Sequence, residues 1–227
     1  MLKIHISEYD ATWPATFTSI AASLTSILTA SAVPILAIEH IGSTSVPGLA
    51  AKPIIDIDIV VAPTFLIPAI QALSFGGYTF SPENNGIDRL SFRWKGHTHD
   101  SGASRPTEDG EVRRAVYLNV PTGISLANHL AVRSVLRSNP ELVEEYSKVK
   151  RRLAEREFSG IGAYGGGKSE VLRKILGRSE IGVEAMEGIT RLNPVGAEVK
   201  GDRGELRSFA IGLTGGGEGT RPTPRLH

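Results

Sequence analysis

Apolar residues at Phe17, Ile20, Ala21, Leu24, Ile27 and Leu28 recur at steps of three and four. That spacing predicts an amphipathic helix, opened by Trp13-Pro14 with Thr12 at its N-cap. Trp13 is expected to anchor this helix on a sheet. Before it, residues 4–9 suit a short edge strand, and after Pro34 residues 35–41 suit another. Residues 54–61 (IIDIDIVV) form a nearly continuous apolar run, the pattern of a strand covered on both faces. Residues 63–75 predict a helix with Pro68 in its first turn, closed by Gly76-Gly77. Tyr78–Phe80 and Leu90–Trp94 are candidate strands on either side of a turn-rich Pro-Glu-Asn-Asn-Gly at 82–86.

Residues 112–120 (VRRAVYLNV) read as a further strand. In it Arg114, Val116 and Leu118 share one face, and Arg113, Ala115, Tyr117 and Asn119 the other. Residues 125–138 and 140–158 predict two helices divided by Asn139-Pro140, an N-cap followed by a proline at the first helical position. Residues 169–176 predict a last helix. Beyond Ser179 the periodicity fades into Gly-, Arg-, Glu- and Pro-rich sequence, so 179–227 is expected to be a disordered tail. The pattern predicts one α/β (α+β) domain over 1–178: a small mixed sheet flanked by helices, with a helical C-terminal half.

Two acids interrupt the most apolar strand. Asp56 and Asp58 are two residues apart and so project from the same face. Buried carboxylates need positive partners, which a divalent metal bridging to phosphate would supply. Upstream, Gly42 and Ser43 form a tight turn whose backbone N–H groups and hydroxyl suit a triphosphate, with Thr44 and Ser45 beside them. The alternative is an ion-paired structural cluster, Asp56 and Asp58 neutralised by Lys52 and Arg114.

The run His40-Ile-Gly-Ser-Thr-Ser-Val-Pro-Gly-Leu49, followed by Ala51-Lys-Pro-Ile-Ile-Asp56, resembles the signature of the GrpB family of nucleotidyltransferase-like proteins. Tyr9, Trp13, Pro14 and Phe17 fit the same family's lead-in, and the resemblance spans residues 4–177. It implies a nucleotidyltransferase-like fold, with Asp56 and Asp58 as catalytic, Mg²⁺-binding carboxylates. Gly42, Ser43, Thr44, Ser45, Lys52, Arg114, Arg133, Lys150 and Lys168 become candidate phosphate contacts, and His40, Tyr117, Asn119 and His129 candidate pocket residues. His129-Leu130, Arg133 and Leu136 match the family's helical run, although Ser134 stands where the family commonly has Asp. Tyr117 and Asn119 occupy two positions where the family pattern has His. The strand carrying them adds no third carboxylate, and Asn119 cannot act as a general base.

Two functions follow: metal-dependent transfer of a nucleotidyl group from an NTP to a small acceptor, or non-catalytic binding of a nucleotide or phosphometabolite. Members fused to dephospho-CoA kinase point to a phosphorylated coenzyme precursor as one such ligand. GAYGGGKS at 162–169 fits the Walker A pattern in letters alone, since charged, helical sequence precedes it where a P-loop needs a buried strand. Tyr164 and Lys168 match the family's Tyr and Lys leading into the last helix. His97, His99 and Asp100 lie in a polar stretch, 96–111, that offers no pre-organised metal geometry.

Composition narrows the classes further. A net charge of +1 over 227 residues gives no general pull toward nucleic acid or anionic membrane. The absence of cysteine removes disulfides, thiol nucleophiles and Cys-ligated zinc. No apolar run approaches a membrane span, and MLKIHISEYD lacks the apolar core of a signal peptide. The expected compartment is therefore the cytoplasm. The oligomeric state stays open.

Overall fold

The computed structural model describes residues 1–81, 88–94 and 112–179. The 82–86 turn, His97, His99, Asp100 and all but the first residue of the expected tail lie outside the described residues.

The apolar run at the centre of the sequence forms the centre of the sheet. Strands β2 (Ala37–Ile41), β3 (Ile54–Val60), β4 (Tyr78–Phe80), β5 (Leu90–Trp94) and β6 (Arg113–Asn119) lie in the order β2-β3-β6-β5-β4. Strands β3 and β6 are parallel; every other pair is antiparallel, giving the mixed sheet expected. The register sets Asp56 beside Ala115, Asp58 beside Tyr117 and Ile55 beside Arg114.

One face of the sheet is an apolar core. Ile55, Ile57, Ile59, Phe92, Val116 and Leu118 pack there against α1 (Trp13–Ala30) and α2 (Leu66–Phe75). Trp13 is buried in this cluster and meets Tyr9 edge-on at 5.3 Å, the anchoring role expected of it. Thr12 precedes α1 but makes no capping hydrogen bond from its side chain. Pro68 sits in the first turn of α2, where no intrahelical donor is lost.

The opposite face carries Asp56 and Asp58 and is roofed by the C-terminal helices. These are α3 (Ile124–Ser138), α4 (Pro140–Ala154), α5 (Ile161–Gly166) and α6 (Ser169–Leu176). Val135, Leu136, Leu142, Tyr146, Val171 and Ile175 hold them together and clasp Val46 and Leu49 of the loop between β2 and β3. The α4 helix ends earlier than predicted, because Glu157–Phe158 (β7) pairs with Leu2–Lys3 (β1). Of the expected 4–9 strand only an isolated bridge between Ser7 and Ala51 forms, and the short β1 lies just before it.

Candidate functional site

Between the acidic sheet face and the helical roof lies a cavity of about 330 Å³. Ser43, Lys52, Asp56, Tyr117, Lys150, Tyr164 and Lys168 line it, together with Arg89 and the apolar Ile54, Ala115 and Ile161.

The floor begins at Gly42, whose φ is +68° and whose added Cβ would stand 2.3 Å from Asp56 Oδ2. Glycine is needed there both for the backbone angle and because the Asp56 carboxylate occupies the side-chain space. The chain then makes a short 3₁₀ turn through Ser43–Ser45. Ser45 Oγ closes this turn on Gly42 O at 2.7 Å, and Thr44 Oγ1 donates to Ile54 O at 3.1 Å. Arg137 fixes the turn from outside by donating twice to Ser45 O, at 2.7 and 3.0 Å. Ser43 alone of the three hydroxyl residues faces the cavity.

Lys150 enters from the core-facing stripe of α4, which also carries Leu142, Tyr146 and Leu153. It is 2% exposed, donates to Ser43 Oγ at 2.5 Å and to Ala50 O at 2.9 Å, and lies 4.1 Å from the centre of the Tyr146 ring. Burial, with the Lys168 and Lys52 ammoniums nearby, holds its amine well below the ordinary lysine range, and Asp56 offsets this only in part. Burial and Lys52 bring Lys168 down to about 8. Burial also lowers Lys52, against the attraction of Asp56. The Tyr164 ring centre lies 5.7 Å from Lys52 Nζ and 4.7 Å from Lys168 Nζ.

The two acids differ in setting. Asp56 opens to the cavity and is raised by burial despite Lys52, His129, Lys168 and Arg89. Burial and the Asp56 carboxylate push the Tyr117 hydroxyl upward, so it stays protonated. Asp58 is completely buried; Asn119 Nδ2 donates to its Oδ1 at 2.9 Å, and His129 Nδ1 lies 2.8 Å from its Oδ2. Asn119 thus donates to Asp58, while Tyr117 lines the cavity beside Asp56.

Mg²⁺ is commonly held by one or two carboxylates, with water and substrate phosphates completing its octahedral shell. Among the described residues no group of three His, Cys, Asp or Glu side chains is disposed to hold a metal ion. The cavity presents one carboxylate among four cations, Lys52, Arg89, Lys150 and Lys168, a setting for an anion. Of the expected pair, Asp56 alone faces the cavity, while Asp58 is enclosed by Asn119 and His129.

Three further expectations change. Arg114 faces away from Asp56, beside Ile55, with its guanidinium 4.8 Å from the Trp94 ring centre. Adjacent positions on a strand point to opposite faces, and Arg114 is one residue off the site's register. Arg133 donates to Glu39 Oε2 at 2.8 Å and His40 O at 2.7 Å, tying α3 to β2 rather than lining the cavity. His40 supports the turn from behind, stacked 4.7 Å from Phe17 and 3.1 Å from Thr44 Oγ1. Burial and the nearby Arg137 and Arg133 lower it to about 4, so it is neutral.

Sequence reasoning missed Arg89. It stands one residue before β5, lies 4.6 Å over the Tyr117 ring and reaches His129. No periodicity marks it, because it belongs to no regular element. The rejected Walker A run is a short helix and turn with no parallel strand before it. No helix among the described residues is long and apolar enough to cross a membrane.

Residues 3–178 match the family model described as GrpB protein. A UPF0157 protein of Pseudomonas aeruginosa is 36% identical over 181 residues, covering 78% of this chain and 68% of that one. A UPF0157 protein of Halalkalibacterium halodurans is 33% identical over 181 residues, with 78% and 83% covered. Among solved structures, the conserved protein GrpB from Enterococcus faecalis superposes with a TM-score of 0.59 at 28% identity, covering 82% of this chain and 98% of that one.

Proposed function

The chain belongs to the GrpB family, and from that premise we propose that it binds a phosphorylated small molecule, a nucleotide or a nucleotide-like metabolite, by its phosphates. The convergence of Lys52, Arg89, Lys150 and Lys168 on the cavity beside Gly42 and Ser43 carries this reading. Its volume, about 330 Å³, suits a small ligand. Burial above all, and secondarily the neighbouring ammoniums, lowers the Lys150 and Lys168 amines, and a bound polyanion favours their charged forms. Tyr164 and Ile161 offer the ligand an apolar wall. The cations supply the positive charge expected of Mg²⁺, so binding proceeds without a divalent metal.

Thermal unfolding of the full chain tests this. Pyrophosphate, ATP and UTP in EDTA are expected to stabilise it, by about 2.7 kcal/mol at a hundredfold excess over Kd. Adenosine and uridine are expected to leave it unchanged. Equal stabilisation by nucleosides, or none by any phosphate, would refute the reading.

One observation favours a second reading, nucleotidyl transfer. Asp56 faces the cavity, where burial raises its carboxyl from the ordinary value, and a carboxylate so placed suits a general base for an acceptor hydroxyl. Pyrophosphate release from an NTP in the presence of an acceptor, lost in Asp56→Asn, would establish that reading. Phosphate binding without release leaves the first.

A further inference from the structure

Asp58 lies two residues from Asp56 on the same strand face, yet it is fully buried while Asp56 lines the cavity. Its two oxygens face Asn119 Nδ2 at 2.9 Å and His129 Nδ1 at 2.8 Å. Across the imidazole, His129 Nε2 is 3.0 Å from Arg89 Nη1. A guanidinium only donates. Nε2 therefore accepts, and Nδ1 carries the proton that it gives to the Asp58 carboxylate. The His129 ring is thereby held in one tautomer from both sides.

We propose that Asp58 is a positioning residue, acting through His129 to place the Arg89 guanidinium over the cavity. The inference rests on the phosphate-binding reading and extends it. Arg89 needs placing because it precedes β5 rather than lying within it. Its Nε has no hydrogen-bond partner, so His129 and the face of Tyr117 hold the group. Asn119 steadies the other Asp58 oxygen. The carboxylate that pairs with Asp56 in the sequence thereby acts on the ligand at one remove, by orienting a cation instead of a metal. Orientation matters here because a planar guanidinium recognises phosphate through directed N–H groups.

The test uses the full chain, with pyrophosphate as probe and EDTA present throughout. Asparagine places an amide N–H near the Nδ1 position and nothing near Nε2, so His129→Asn keeps the donor to Asp58 and removes the acceptor for Arg89. Arg89→Met is expected to weaken pyrophosphate binding about 10–100-fold, the range for a charge-assisted hydrogen bond. His129→Asn should lose most of the same factor with an unchanged melting temperature, and the double variant should be no weaker than Arg89→Met alone. Losses that multiply in the double variant, or full affinity in His129→Asn, would overturn the proposal.

A second readout needs no ligand. The ¹⁵N shifts of the His129 ring are expected to report the Nδ1–H tautomer; the Nε2–H tautomer would overturn the relay directly. If the unmodified chain takes no pyrophosphate, the phosphate reading falls, while the ring nitrogens still decide the relay.

Discussion

Lys150→Met separates a cation kept for a ligand from one kept for the fold. The side chain is 2% exposed, and its amine bridges Ser43 Oγ at 2.5 Å and Ala50 O at 2.9 Å. Methionine matches the stem in length and restores an apolar residue to the stripe of Leu142, Tyr146 and Leu153. The substitution strands two acceptors, costing about 1–3 kcal/mol each if they stay dry. Ser43 lines the cavity, where water can replace the amine, whereas the Ala50 carbonyl belongs to a fully buried residue. Against that loss stands the relief of a buried, crowded cation, and replacing buried charge by a well-packed apolar residue is often neutral or stabilising by about 1–4 kcal/mol.

The variant is therefore expected to melt within a few degrees of the parent while pyrophosphate affinity falls about 10–100-fold. The pH profile adds a check on sign. The Lys150 amine is lowered well below its ordinary 10.5, so across that window the folded state holds fewer protons than the unfolded chain. Stability contributed through this group consequently rises with pH there, and the rise should vanish in the variant. Urea titrations from neutral to alkaline pH, with calorimetric titration of pyrophosphate, measure both effects. A large loss of stability with unchanged affinity would make Lys150 a structural strut and refute the reasoning.

Three further outcomes are expected. Gly42→Ala must hold φ +68° and place a Cβ 2.3 Å from Asp56 Oδ2; about 2–5 kcal/mol of stability should be lost in urea unfolding, and pyrophosphate binding with it. Lys168 titrates at about 8 in the free protein, and a bound phosphate raises that value. Binding above this pH must recruit a proton, so affinity should fall by up to about tenfold per unit; a flat profile from pH 7 to 10, or an unchanged slope in Lys168→Met, would contradict the assignment. Arg114→Gln alters the opposite sheet face, so pyrophosphate affinity should stay within about twofold of the parent.

Much of the fold was legible because it rests on local periodicity. The α1 stripe, the Ile-rich β3 and the boundaries of β4, β5 and α6 all follow from spacing and punctuation. Asp56, Ser43 and Gly42 were legible because a two-residue period and a glycine turn place them without knowledge of the rest. What failed was reach across the chain. Arg114 was paired with the acids on charge, although its register of one residue turns it to Trp94. Arg133 looked available until Glu39 and the His40 carbonyl came beside it from β2. Lys150 carried a usable signal, a cation at a core position four residues from Tyr146, which marks it as buried rather than solvated. Arg89 carried none. Asn119 and His129 were expected in the pocket without any sign that they pair with Asp58, since they meet it only through the register of β3 with β6 and the docking of α3.

Calorimetric titration of the full chain with pyrophosphate, first in EDTA and then with Mg²⁺ in excess over the ligand, tests most directly whether side chains supply the positive charge. Binding in EDTA, no tighter with Mg²⁺ and lost with Lys150→Met, is the predicted result. Binding that appears only with Mg²⁺ and disappears with Asp58→Asn would contradict it, returning the two aspartates to the role of metal ligands.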